Sequence, residues 1–130
     1  MVLELWFRQP VAAVGLNGRA HWAVRARLVK GYRREAEARV VAWLRGQVDR
    51  GVGFVPRWYD VLWVCGRGGM PDADNALGRC KSLLDGMCDA LWMNDGVLEL
   101  GCVDRVRPKR GDALWDRRGM VMIRMRDDAE

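Results

Sequence analysis

Apolar residues recur along this chain with two different periods. Between about Ala23 and Arg50 they return at every fourth position, as Val24, Leu28, Tyr32, Ala36, Val40, Leu44 and Val48. That spacing predicts one stripe of a long helix, with Arg25, Arg27, Lys30, Arg33, Arg34, Arg39 and Arg45 over much of its remaining surface. Gly51, Gly53 and Pro56 end it. A second stripe of Leu77, Cys80, Leu83, Leu84, Met87, Cys88 and Leu91 predicts a helix from Asp74 to Leu91. Asp74 is placed to cap it, and Asp72 lies near the positive end of its dipole. Four shorter runs, Val2–Phe7, Trp58–Cys65, Val97–Val106 and Met120–Met125, read as strands. The segments Val11–Arg19, Gly66–Pro71, Met93–Gly96 and Arg107–Gly119 read as loops and turns.

This element order predicts an α/β (α+β) fold, a single small domain over residues 1–130 in which a mixed sheet carries two main helices. The acidic tail, residues 127–130, is expected to fray. Strand order does not follow from the pattern.

Composition narrows the class. The chain has 130 residues, half of them apolar, and a formal net charge of +5. Such a chain buries a core and is not disordered. No apolar run approaches the ~20 residues of a membrane span, and the charged N-terminus does not read as a secretory signal, so a cytoplasmic protein is expected. Cys65, Cys80, Cys88 and Cys102 contain no CxxC pair, which excludes a zinc ribbon and predicts free, buried thiols. His21 is the only histidine. Metal chemistry would therefore fall to carboxylates and to a hard cation, Mg²⁺ or Mn²⁺. Of the seven tryptophans, Trp43, Trp58 and Trp63 are expected in the core. Trp92 is assigned to core packing too, with stacking on an unpaired base as the alternative.

Charge is uneven. Residues 1–71 hold 12 basic and 5 acidic side chains, net +7, and residues 72–130 hold 10 and 12, net −2. Arginine supplies 19 of the 22 basic residues. A basic half beside an acidic one suits a polyanion held next to a metal-binding carboxylate cluster, and equally a solvated helix face. The acidic half contains Asp72-Ala73-Asp74-Asn75 at the predicted helix start. Two short carboxylates there can offer a divalent cation two or three oxygens, or can simply cap a helix. Lys81 and Asp85 return to the Asp74 face at helical spacing. Lys81 is expected to lean toward the helix N-terminus and a phosphate held over Asp72 and Asp74. The plainer alternative is an i,i+4 ion pair on a surface helix.

The ordered set Asp72-Ala73-Asp74-Asn75, Lys81, Leu84-Asp85-Gly86-Met87, Asp89 and Asn94-Asp95 resembles the RusA-type Holliday-junction resolvases. Leu16-Asn17-Gly18-Arg19-Ala20-His21-Trp22 matches an N-terminal segment of that family. The resemblance implies a homodimeric, Mg²⁺-dependent endonuclease (Mn²⁺ as a substitute) that cuts four-way DNA junctions by paired, symmetric incisions. It implies neither a small-molecule cofactor nor a membrane partner. Asp72, Asp74 and Asp95 would be the catalytic and metal-binding carboxylates, with Lys81 as the basic residue required for cleavage. Arg19 and Lys81 would contact DNA, with Arg67 or Arg79 in place of an arginine at position 71. His21 is read either as a DNA contact or, equally, as a loop histidine packed against Trp22. Asn75, Asp85 and Asn94 would support the site. Asn94 departs from the family's usual Asp-Asp, Pro71 stands where some members carry arginine, and Gly15 where serine is frequent. The rival readings are a Mg²⁺ nuclease acting on flaps or forks and a non-catalytic branched-DNA-binding module.

A continuous helix from Asp74 to Leu91 is about 27 Å long, and a four-residue return covers at most ~14 Å. Asp95 is therefore expected to complete the Asp72–Asp74 site of a second subunit rather than its own.

Overall fold

The computed structural model describes residues 1–15, 21–48 and 53–127. Its elements are β1 (Val2–Arg8), a 3-10 turn at Ala12–Val14, α1 (Trp22–Val48), β2 (Trp58–Val64), α2 (Ala73–Ala90), a 3-10 turn at Asp95–Val97, β3 (Glu99–Val106) and β4 (Met120–Arg126). The expected strand from Val97 thus begins two residues later, after a turn. Arg50 lies outside the described residues, as do Asn17, Arg19 and tail residues 128–130. At the start of the acidic tail, the Asp127 carboxylate pairs with the N-terminal ammonium at 2.7 Å.

The sheet order is β1-β4-β2-β3. β4 runs antiparallel to both neighbours, and β2 and β3 run parallel with α2 as their crossover. Strand alternation points Leu3, Phe7, Val61, Trp63, Val121, Ile123 and Met125 to one face. There they form one core with Ala36 and Val40 of α1 and Leu83, Met87 and Cys88 of α2. Full burial of each large side chain contributes about 1.5–3 kcal/mol. The two helices pack tightly at Gly86, where an added Cβ would fall inside the Arg33 carbonyl. The α1 stripe holds through Ala36 and Val40, but Val24 at its start is exposed. β3 lies at the sheet edge and is exposed along most of its length, so Cys102 is exposed while Cys65, Cys80 and Cys88 are buried. Trp63 is buried, and Trp43 is partly buried against Phe54.

The opposite sheet face holds a charged centre that no hydrophobic pattern predicts. Asp60 of β2 is buried, directly across from Arg124 of β4. Its carboxylate accepts hydrogen bonds from Arg126 Nε (2.9 Å) and Nη2 (3.2 Å), Arg124 Nε (3.2 Å) and the Cys102 amide (3.0 Å). Burial alone would push the Asp60 carboxyl up, but the bonds from Arg126, Cys102 and Arg124 outweigh it and hold it at about 2, below the ordinary 3.8. The folded value lies below the unfolded one. The resulting stabilisation is present above about pH 4 and is lost as pH falls toward 2, an amount of about 2 kcal/mol. Urea unfolding from pH 5 down to pH 2 should show wild type losing about that much more stability than Asp60→Asn. Equal acid losses in the two proteins would remove Asp60 from this role.

Candidate functional site

α2 is capped by Asp72 rather than by Asp74. Asp72 has extended backbone, and its Oδ1 accepts the Asn75 amide at 2.8 Å. That geometry satisfies one of the free N–H groups of the first turn, and it leaves Asp74 exposed within that turn. The preceding loop is pinned by β3 and the segment beyond it: Arg105 Nη1 donates to the Pro71 carbonyl (3.1 Å) and Arg107 Nη1 to that of Gly68 (3.4 Å). At the loop's root, a side chain on Gly66 would meet the Arg117 carbonyl and the Gly119 amide at 2.5 Å. Only glycine lets β2 leave the sheet so close to the 107–119 loop.

At the other end of α2 the chain folds back on itself. The Asn94 side chain accepts the Gly96 amide at 2.8 Å and caps the turn carrying Asp95. Asp95 thereby comes to Lys81 of its own chain. Lys81 Nζ donates to Asp95 Oδ2 and, at 3.0 Å, to Asp85 Oδ1. The lysine does not lean toward Asp72 and Asp74 as its helix position suggested, because two carboxylates on the C-terminal side draw it the other way. The hydrogen bond to Asp95, set against slight burial and reinforced by Asp85, raises the Lys81 pKa above its ordinary value. The same bond lowers that of Asp95. Lys81 therefore remains an ammonium at neutral pH and is unsuited to act as a general base.

Asp74, Lys81, Asp85 and Asp95 border one cavity of about 570 Å³, together with Arg25 and Tyr59. A neighbouring polar hollow of about 700 Å³ shares Lys81, Asp85 and Asp95 and adds Arg33, Asp89 and Trp92. Among the described residues, no three carboxylate, histidine or cysteine side chains are grouped closely enough to hold a metal ion.

The remaining predicted contacts divide. Arg67 is exposed. His21 is exposed, its Nδ1 accepting the Ala23 amide at 3.2 Å and its ring 5.5 Å from that of Trp22. It starts α1. Arg79 turns inward: its guanidinium donates to the Pro10 carbonyl (2.5 and 2.9 Å) and lies 4.7 Å from the Trp63 ring centre. Burial lowers its pKa. Arg79, expected to contact DNA, thus braces α2 against the segment that follows β1. Trp92, expected in the core, is 96% exposed. Sequence reasoning passed over Arg25, whose Nη1 binds the carbonyls of Ala13 and Gly15. It also missed the Arg33–Asp89 pair (2.5 and 2.8 Å), which ties α1 to the end of α2. A carboxylate at Asp89, one turn beyond Asp85, was the available signal.

No protein-family model matches the chain, and no solved structure matches it. An uncharacterized protein of Xylella fastidiosa (strain Temecula1) is 36% identical over 87 residues, covering 61% of this chain and 51% of the relative. The chain thus spans about half the length of that curated relative. Among the described residues, no helix is long and apolar enough to cross a membrane.

Proposed function

We propose that this protein is a Mg²⁺-dependent endonuclease that cuts branched DNA, with the four-way junction as its principal substrate, and that it acts as a homodimer. The observation that carries the reading is the convergence of Asp74, Lys81, Asp85 and Asp95 on one cleft. The order of residues along the chain, with Asp72 two positions before Asp74, matches the resolvase pattern.

The donor set fits the ion in kind. Asp72 and Asp74 are exposed, short and oxygen-donating, and Asp72 keeps one oxygen beyond its capping bond. Two carboxylates are too few for a closed site. This chain's own Asp95 borders the cleft but is held by Lys81, about 10 Å along α2 from Asp74, so the reading assigns completion of the set to Asp95 of the partner subunit. Bound there, Mg²⁺ would supply Lewis-acid polarisation of the scissile phosphate and an acidified water. Lys81 stays protonated, so its part is to pair with the phosphate as charge develops, after exchanging Asp85 and Asp95 for the substrate. Arg67 and the arginines along α1 would follow the duplex arms through phosphates.

The test compares wild type and Asp74→Asn on a labelled four-way junction, a fork, a flap and a matched linear duplex, each with Mg²⁺ or EDTA. Paired nicks in the junction, abolished by EDTA and reduced at least ~10²-fold by Asp74→Asn while binding persists, are expected. Cleavage confined to flaps or forks would replace the junction as substrate. Binding without cleavage would make the chain a branched-DNA-binding module, with Asn94 as the departure to examine.

A further inference from the structure

The last turn of α2 is built for a residue this chain does not have there. The Met93 amide donates to the Cys88 carbonyl (3.1 Å) and the Trp92 amide to that of Asp89 (3.2 Å). This closure requires a left-handed residue just past the helix, a position that glycine fills without strain and asparagine fills sometimes. Trp92 occupies it with φ +55°, the one positive φ among the described non-glycine residues. Its side chain is also 96% exposed, so packing does not compensate for the strain. Neither local conformation nor burial accounts for an indole here.

Its surroundings indicate what it faces. Trp92 borders the hollow that contains Arg33, Lys81, Asp85 and Asp95. The floor carries Asp85, Asp89 and Asp95 against Arg33 and Lys81, so it does not suit an apolar ligand, and a phosphate enters it by taking the place of Asp85 and Asp95 at Lys81, the exchange proposed above. The Arg33–Asp89 pair and the Asn94 cap brace the turn on both sides. We infer that Trp92 is a stacking platform for a nucleobase displaced from its duplex at the branch point, holding the adjoining phosphate toward Lys81. An indole with both faces free stacks on any base, so the contact selects unpaired structure rather than sequence. The inference rests on the branched-DNA reading above.

The experiment uses the full chain as wild type, Trp92→Gly and Trp92→Phe. A four-way junction carries 2-aminopurine at the branch nucleotide, and binding is titrated in EDTA beside a linear duplex. Chemical denaturation is measured on the same preparations. Trp92→Gly is expected to unfold at higher denaturant than wild type, because it relieves the left-handed strain. It should nevertheless bind the junction about tenfold more weakly, lose the change in 2-aminopurine emission and keep its duplex affinity. Trp92→Phe should restore most of the junction affinity. This opposition, a more stable protein that binds less well, is one that a structural role for Trp92 would not produce. Junction binding by Trp92→Gly equal to wild type overturns the inference while leaving the nuclease reading intact. Loss of the dimer in Trp92→Gly, seen by sedimentation, also overturns it and makes the indole a subunit contact. Failure of wild type to bind or cut any branched DNA overturns the reading on which the inference rests.

Discussion

Mixed in equal amounts, Asp74→Asn and Asp95→Asn chains, each inactive alone, are expected to recover about a quarter of the wild-type nicking of a four-way junction. The expectation comes from where α2 puts its carboxylates. Lys81 lies seven residues beyond Asp74, about 10 Å along the helix axis. Asp95 is hydrogen-bonded to Lys81, while no group of three carboxylates forms among the described residues of one chain. If Asp95 of one subunit serves Asp72 and Asp74 of the other, a mixed dimer has one dead site carrying both substitutions and one intact site. Half the dimers in an equal mixture are mixed, and each has one working site of two. If each chain builds its own site, every site in the mixture carries one substitution and nothing returns. Each single variant should lose roughly 10²–10³-fold or more in rate, so the recovered signal stands well above background. Neither substitution threatens the fold. Asp74 is exposed, and the ion pair lost with Asp95 is a surface one, of the kind that contributes at most about 1 kcal/mol. No recovery, with subunit exchange demonstrated by differently tagged chains, overturns the shared site.

The helices and strands were legible because burial on one face imposes a period, and the core of α2 (Leu83, Met87 and Cys88) follows the predicted stripe. What the period cannot carry is order in the sheet. β4 is last in the chain yet sits between β1 and β2. Its central place shows only in tertiary pairing, although Val121, Ile123 and Met125 alternating with Arg124 and Arg126 gave a hint. The edge position of β3 had a signal in Glu99, Asp104 and Arg105, charges on both faces of one strand. Asp60 was hidden inside an aromatic-rich run, and its arginine partners lie more than 60 residues away. The site shows the same division. Helical spacing correctly placed Asp74, Lys81 and Asp85 on one side of α2, and all three border one cleft. The direction of Lys81 depended on Asp95, which only the fold-back after α2 brings within reach. Trp92 was misassigned because an apolar residue after an apolar stripe reads as core, while its left-handed backbone is invisible in sequence.

Replacing Gly86 should cost this protein more stability than any surface change. Gly86 is buried in α2 where the helix crosses α1. A Cβ there would overlap the Arg33 carbonyl oxygen, approach its carbon to 2.9 Å and reach the Ala36 Cβ at 3.0 Å. The obstacle is backbone, which cannot rotate away as a long side chain can. The helices would have to separate, thinning the packing of Ala36 and Val40 against Leu83 and Met87. Alanine at position 86 recovers about 1 kcal/mol of helix propensity, but overpacking of this kind costs up to ~3 kcal/mol or more. A net loss of about 2 kcal/mol is expected for Gly86→Ala. Gly86→Val should lose more, enough to populate unfolded chains in a domain whose total stability is of order 5–15 kcal/mol. Gly31 supplies the internal control. It lies in α1 with nothing within 4 Å of an added Cβ, and it is exposed. Gly31→Ala should therefore stabilise the protein by about 0.5–1 kcal/mol. Urea unfolding of both alanine variants reads the two signs directly. A neutral or stabilising Gly86→Ala would mean that the helices do not meet there. The Leu84-Asp85-Gly86-Met87 stretch would then owe its glycine to something other than helix packing.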